Sequence, residues 1–150
     1  MKITAAVVDT NVVVAGLLTR QSESPTARIL DGMRVAAFPF LLSASLLAEY
    51  RRVLLRPRIQ DLHGLTEPEI DELLTSIAAN AITRESPARA GAPDTGDAHI
   101  WALVQALEGT VLVTGDLALH RDPPPRVPVL LPRDFVRSLA RRDRPTTGSR

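Results

Sequence analysis

Two four-residue runs constrain the fold of this chain most: Ala5-Ala-Val-Val8 and Thr110-Val-Leu-Val113. Each is short, rich in Val or Ala, and lacks the apolar–polar alternation of a half-exposed strand. Each therefore reads as a strand buried on both faces. An aspartate follows each within three residues, Asp9 after the first and Asp116 after the second. Such strands need helices on both sides, and the rest of the chain supplies them. Val12 to Leu18 forms a short helix. Ser24 and Pro25 supply an N-cap and a first-turn proline for a helix to about Met33. Ser43 caps a helix to about Leu55, which Pro57 stops. Thr66 and Glu69 form a capping-box pattern, with Pro68 in the first turn, for a helix to about Ala79. Ala98 to Leu107 reads as a helix, and Pro132 starts a last one to about Leu139. Further strands are expected within Val35–Leu42, where Pro39 interrupts, within Asn80–Arg84, and at Val127–Leu131. Pro87 to Gly96 reads as a loop, and Pro123-Pro-Pro125 as a rigid extended linker. The alternation predicts an α/β fold with a central parallel sheet covered on both faces.

The 150 residues suit one domain, expected over residues 1–142, with a basic, disordered tail over 143–150. Aromatic residues make up only 3% of the chain, so the core is expected to be aliphatic. There is no cysteine, which excludes disulfides and thiolate zinc sites. The stretch from Met1 to Leu18 carries Asp9 inside an apolar run and fits neither a spanning helix nor a secretory leader. A cytoplasmic protein without membrane association is expected. The net charge is +1, but residues 133–150 hold six arginines against two aspartates. A basic tail attracts nucleic acid, and it reads equally as a solvated terminus. Arg20, Arg121 and the tail arginines are candidates for phosphate contact, which would make binding salt-dependent.

In open α/β sheets ligands bind beyond the carboxyl ends of the strands. Asp9 and Asp116 stand there, and Gly115 is expected to let the backbone turn sharply. Each aspartate also suits the N-cap of a following helix. Glu49 lies among Leu46, Leu47, Tyr50, Val53 and Leu54, on or beside the buried face of its helix. An ionised carboxylate is costly there unless it is paired or bound to metal; pairing with Arg52 or Arg56 is the other reading. Asp97 shares a face with Ile100 and Trp101, or is simply the cap of that helix. Asp94 is a second candidate just upstream. Four carboxylates at one rim of a sheet repel one another, and a divalent cation removes that repulsion. An all-oxygen set without cysteine suits Mg2+ or Mn2+, the ions of metal-assisted phosphodiester hydrolysis. His99 and His120 read as structural or solvated, with substrate contact as the alternative, and Tyr50 and Trp101 read as core.

Taken in order, these motifs resemble the PIN-domain family. Val7-Val-Asp-Thr-Asn-Val-Val-Val14 is similar to its opening strand and Asp-Thr-Asn. Leu42-Ser-Ala-Ser-Leu-Leu-Ala-Glu-Tyr50 with Val53-Leu-Leu-Arg-Pro57 resembles its second-acid helix. Asp97-Ala-His-Ile resembles the start of the third-acid helix. Val111-Leu-Val-Thr-Gly-Asp116 resembles the strand with the fourth acid, and Val129-Leu-Leu-Pro-Arg-Asp-Phe135 the closing strand and helix. The likeness covers about residues 3–139. It implies a three-layer α/β/α sandwich and Mg2+- or Mn2+-dependent RNA cleavage. Many members of this size look like VapC-type toxins, which implies a homodimer and a partner antitoxin that blocks the site. By this resemblance Asp9, Glu49, Asp97 and Asp116 are the acidic quartet that holds metal, and Thr10, Asn11 and Thr114 orient those ligands. Relatives have a denser acidic run before the third acid; Pro93-Asp-Thr-Gly-Asp97 departs from it, and Asp97 is favoured over Asp94 because the helix begins there.

Rival readings fare less well. A haloacid-dehalogenase-like phosphatase would use Asp9 as a nucleophile, but expects an acid where Asn11 stands and a lysine near the phosphate. The only lysine is Lys2, at the wrong end of its strand. Response-regulator receivers fail on the same lysine, and no Gly-Lys-Ser/Thr phosphate loop occurs. A housekeeping RNA-processing nuclease and a non-catalytic PIN-fold binding module remain as alternatives to the toxin.

Overall fold

In a computed structural model, residues 2–85 and 97–143 are described. In chain order the elements are β1 (Ala5–Val8), α1 (Thr10–Leu18), α2 (Pro25–Arg34), β2 (Leu41–Leu42), α3 (Ala44–Leu54), α4 (Pro57–His63), α5 (Glu67–Asn80), β3 (Ile82–Thr83), α6 (Ala98–Gln105), β4 (Thr110–Val113), α7 (Leu117–Arg121), β5 (Val129–Leu130) and α8 (Pro132–Asp143). The expected loop at Pro87–Gly96 and the tail from 144 to 150 lie outside the described residues.

β1 and β4 are the two apolar runs, and they pair in parallel from Ala5↔Thr110 to Val8↔Val113. All eight of their residues are buried, as strands covered on both faces must be. β5 pairs in parallel with the other side of β4, and β2 with β3. One parallel bridge, Ala6 to Phe40, joins the two groups of strands, so the order across the molecule is β3-β2-β1-β4-β5. The chain winds outward from β1 in one direction and from β4 in the other. Between them lies the topological switch point, where the connections leave a crevice at the carboxyl ends of the strands.

The fold is a three-layer α/β/α sandwich with a central parallel sheet. α6 lies on β1, β2 and β4; α1 packs on α2 and α3, and α2 also meets α5 and α8. The caps form as the local chemistry demands. Ser24 Oγ accepts from Ala27 N, Ser43 Oγ from Leu46 N, and Thr66 and Glu69 close a reciprocal capping box. Each such cap contributes about 1 kcal/mol. Among the described residues no helix is long and apolar enough to cross a membrane.

Several local expectations need correction. Pro57 does not merely stop a helix; it takes the first position of α4, where its missing N–H costs nothing. α4 then ends at Gly64, whose φ of 70° is the left-handed conformation glycine adopts freely. The strand expected within Val35–Leu42 is present as Leu41–Leu42, after Pro39; before it Ala36 turns the chain at φ 55° and leaves Val35 exposed. Asp116 caps the short α7, in line with its N-cap reading, and α8 runs a turn past the expected end at Leu139. The core is aliphatic around β1 and β4, yet Phe38, Phe40, Tyr50 and Phe135 are buried in it as well, and Trp101, expected in the core, packs against it only partly buried. Phe38 packs edge-on against Phe135 at 5.0 Å between centroids, with Phe40 at 5.9 Å.

Candidate functional site

Each of the four acids stands after a different parallel strand. Asp9 follows β1, Glu49 lies in the helix after β2, Asp97 follows β3 across the connection, and Asp116 follows β4. Parallel strands share one carboxyl edge, so the topology sends all four toward the same edge of the sheet. Asp94 falls within residues 86–96, outside the described residues.

Asp9 is the most constrained of them. Its Oδ1 accepts from Thr10 N at 2.9 Å and caps α1. Its Oδ2 accepts from the Thr114 hydroxyl at 2.8 Å and from Asn11 Nδ2 at 3.2 Å. One carboxylate thus caps α1 through one oxygen and meets Thr114 and Asn11 through the other. Burial raises its pKa above the ordinary 3.8; the bonds from Thr114 and Thr10 oppose the rise, and the charges of Asp97 and Glu49 add to it. Those two charges place Asp97 and Glu49 in the same electrostatic neighbourhood as Asp9. Asp116 stands farther toward solvent. It is exposed, and its Oδ1 accepts from Ala118 N at 2.9 Å to cap α7.

Glu49 is partly buried, and neither expected arginine pairs with it. Its Oε2 accepts from the Thr10 hydroxyl, and His99 Nε2 stands 3.3 Å from its Oε1. The arginine that does pair on this helix is Arg51, with Asp71 at 2.7 Å and Glu67 at 2.5 Å on the outer surface. Next along the helix, the buried Tyr50 hydroxyl donates to the carbonyl of Val8 at the end of β1. Burial raises its pKa far upward, helped by Asp9 and Glu49, so the hydroxyl keeps its proton and the bond. This pins the helix that carries Glu49 against the strand that carries Asp9.

Asp97 occupies the N-cap position of α6, but its side chain makes no capping bond. Its backbone carbonyl receives Ile100 N and Trp101 N, leaving the exposed carboxylate uncommitted to the helix.

Thr114 and Asn11 tie the two strand ends together. Thr114 is fully buried; its hydroxyl donates to Asp9 and accepts from Asn11 Nδ2 at 3.0 Å and Asp116 N at 3.1 Å. Asn11 Oδ1 accepts from Gly115 N at 3.0 Å. Gly115 does not adopt a positive φ; it serves the turn through this N–H. His120 Nε2 lies 2.9 Å from the Thr114 carbonyl, so it braces the turn. His99 is buried rather than solvated, and its contact with Glu49 went unseen in the sequence. The available signal was a ring on the apolar face of α6, one helical turn before the buried Leu103.

The donor set is all oxygen, with a desolvated carboxylate whose ionisation two further carboxylates oppose, and this fits a hard cation. Among the described residues no three His, Asp or Glu side chains converge into a ready-made cage. A small cavity of about 230 Å³ opens beside Asp116, walled by Asn11, Val12, Ala15, Thr26, Gly115 and Pro132.

Among curated proteins no match to this chain was found. A family model of the PIN domain matches residues 5–118, from β1 to the start of α7, and so spans Asp9, Glu49, Asp97 and Asp116. PIN domains are generally nucleases. The match takes in well over half of the sequence, and with this topology it means that the chain belongs to the PIN-domain family.

Proposed function

We propose that this protein is an endoribonuclease dependent on Mg2+ or Mn2+ and the toxin of a toxin–antitoxin pair. The observation that carries the enzymatic reading is Asp9: a desolvated carboxylate at the switch point of the sheet, with its pKa raised by burial and by Asp97 and Glu49. Perturbed carboxylates of this kind cluster at functional sites. Asp9, Glu49, Asp97 and Asp116 are the residues proposed to hold the cation, with its remaining positions filled by water. When bound, such an ion stabilises the charge that develops on a phosphodiester during hydrolysis.

The chain's own groups do the rest. Thr10, Asn11 and Thr114 hold the carboxylates in place through the bonds described above. Glu49 accepts one proton of the attacking water as the new P–O bond forms. The P–O bond to the departing sugar oxygen then breaks, and that oxygen takes a proton from solvent. Exposure of Asp97 and Asp116 leaves the rim open to an extended RNA strand. The toxin role, the homodimer and the blocking antitoxin rest on the resemblance of the motifs to VapC-type proteins; the cytoplasmic location rests on the sequence reading of the opening stretch and the lack of cysteine.

The test is cleavage of single-stranded and structured RNA by metal-stripped protein, with Mg2+, Mn2+ or EDTA, beside folded Asp9→Asn and Asp116→Asn variants. Cutting that needs metal and is lost in Asp9→Asn supports the nuclease. Equal cutting by wild type and Asp9→Asn contradicts it. Growth arrest on induction, relieved by co-expression of a small neighbouring gene, tests the toxin role separately.

A further inference from the structure

We propose that His99 is a positioning residue that docks the start of α6 onto Glu49, and so sets Asp97 against the other acids of the site. The proposal rests on the nuclease reading above for its effect on metal and RNA, but its geometric part stands apart from that reading.

Glu49 is gripped from two sides. The Thr10 hydroxyl holds Oε2 and His99 Nε2 faces Oε1 at 3.3 Å. Thr10 opens α1 directly after β1, whereas His99 belongs to α6. Three helices therefore meet at one carboxylate. With a separate donor facing each oxygen, the carboxylate plane cannot rotate without losing a contact. The His99 side chain is only 8% exposed and that of Glu49 18%, so water competes poorly for this contact.

The consequence reaches Asp97. Its carboxylate makes no capping bond to hold it, and it lies two residues before His99 at the very start of α6. The position of that helical end therefore decides where the Asp97 carboxylate falls. α6 already packs on β1, β2, β4 and α3, and the contact between His99 and Glu49 registers its first turn against α3. A tie of this kind is the polar counterpart of the Tyr50 bond to Val8, which registers α3 against β1. Asp9, Glu49 and Asp97 are then spaced by two specific contacts and not by apolar packing alone.

The test uses the full chain with His99→Leu, which removes the donor but keeps an apolar side chain, and His99→Gln, which restores an N–H donor. Leu103→Ala is the control: it weakens α6 packing at a fully buried position away from Glu49. Three readouts are taken: the ¹³C signal of the Glu49 carboxyl in metal-free protein, Mn2+ affinity by electron paramagnetic resonance, and kcat and KM on RNA. His99→Leu should shift the Glu49 signal and weaken Mn2+ binding by about 10- to 100-fold, the loss typical of removing a hydrogen-bond partner of a metal ligand. kcat should fall with it while KM for RNA holds, and His99→Gln should recover most of the loss. Leu103→Ala should lower thermal stability and leave the Glu49 signal and Mn2+ affinity unchanged.

An unmoved Glu49 signal in His99→Leu overturns the proposal, as does an equal loss of Mn2+ affinity in Leu103→Ala. Should His99→Leu fail to fold, His99→Ala decides: a shifted Glu49 signal with weakened Mn2+ binding supports the tie, and a wild-type signal and affinity overturn it. Should wild type bind no Mn2+ and cut no RNA, the nuclease reading fails, and the Glu49 signal alone still decides whether His99 positions that carboxylate.

Discussion

Asp9 and Asp116 occupy equivalent places in the two halves of the sheet, yet the fold treats them differently. Each follows a fully buried four-residue strand, and each caps the helix after it. Asp9 has both oxygens bonded and is pushed toward its neutral form by burial. Asp116 uses one oxygen for its cap and is otherwise open to solvent. The same local motif thus yields a preorganised inner carboxylate and an adaptable outer one. The difference teaches that the position of an acid after a strand does not settle its role. What distinguishes Asp9 is its set of neighbours: Thr114 from across the sheet, and Glu49 and Asp97 from two helices.

The largest effect should come from Asp9. Asp9→Asn is expected to lower RNA cleavage on the order of 10³-fold, as loss of several kcal/mol of transition-state stabilisation requires, with the fold intact by circular dichroism. Thr114→Val should come next. It removes one hydroxyl that serves Asp9, Asn11 and Asp116 N at once, and should cost roughly 1–3 kcal/mol in urea unfolding. Activity should fall by about 10- to 100-fold, with Thr114→Ser recovering most of it. Asp116→Asn should be milder in stability: asparagine caps as well as aspartate, so unfolding should change by less than about 0.5 kcal/mol, while cleavage falls. If Asp116→Asn proved as destabilising as Thr114→Val, the contrast between the inner and outer acids would be lost.

A pH titration sharpens the same contrast. The folded protein holds the Asp9 proton to higher pH than the unfolded chain, whose value is near the ordinary 3.8. The contribution of Asp9 to stability is therefore full below that value and is lost as pH rises through the folded-state value. In metal-free protein, ¹³C NMR should find the Asp9 pKa above 3.8 and find it lowered in Glu49→Gln. No change on removing the Glu49 charge would contradict the electrostatic neighbourhood assigned to Asp9. The smallest effect is expected far from the site: Thr66→Ala breaks the capping box of α5 and should cost about 1 kcal/mol with cleavage unchanged.

Much of this was legible in the sequence because it depends on near neighbours. The strands at Ala5–Val8 and Thr110–Val113, the caps at Ser24, Ser43 and Thr66, and the carboxylates after strands are all carried by local pattern. The role of Pro57 was half legible, since a proline that ends one helix is equally suited to begin the next. The turn at Ala36 was not, because a non-glycine residue at positive φ leaves no mark in the sequence. Glu49 could be placed beside the core by helical periodicity, but its partners could not. Thr10 and His99 lie 39 and 50 residues away, and only the folded topology brings them to it. Arg52 and Arg56 were nearer in sequence, yet Glu49 is held instead by Thr10 and His99.

The most direct measurement is an anomalous scattering map from crystals of the full chain soaked in Mn2+, recorded for wild type and Asp9→Asn. The account predicts a Mn2+ peak in wild type within coordination distance of an Asp9 carboxylate oxygen, beside Asp97 and Glu49, and no such peak in Asp9→Asn. A Mn2+ peak that leaves Asp9 untouched, or one that persists unchanged in Asp9→Asn, would contradict it.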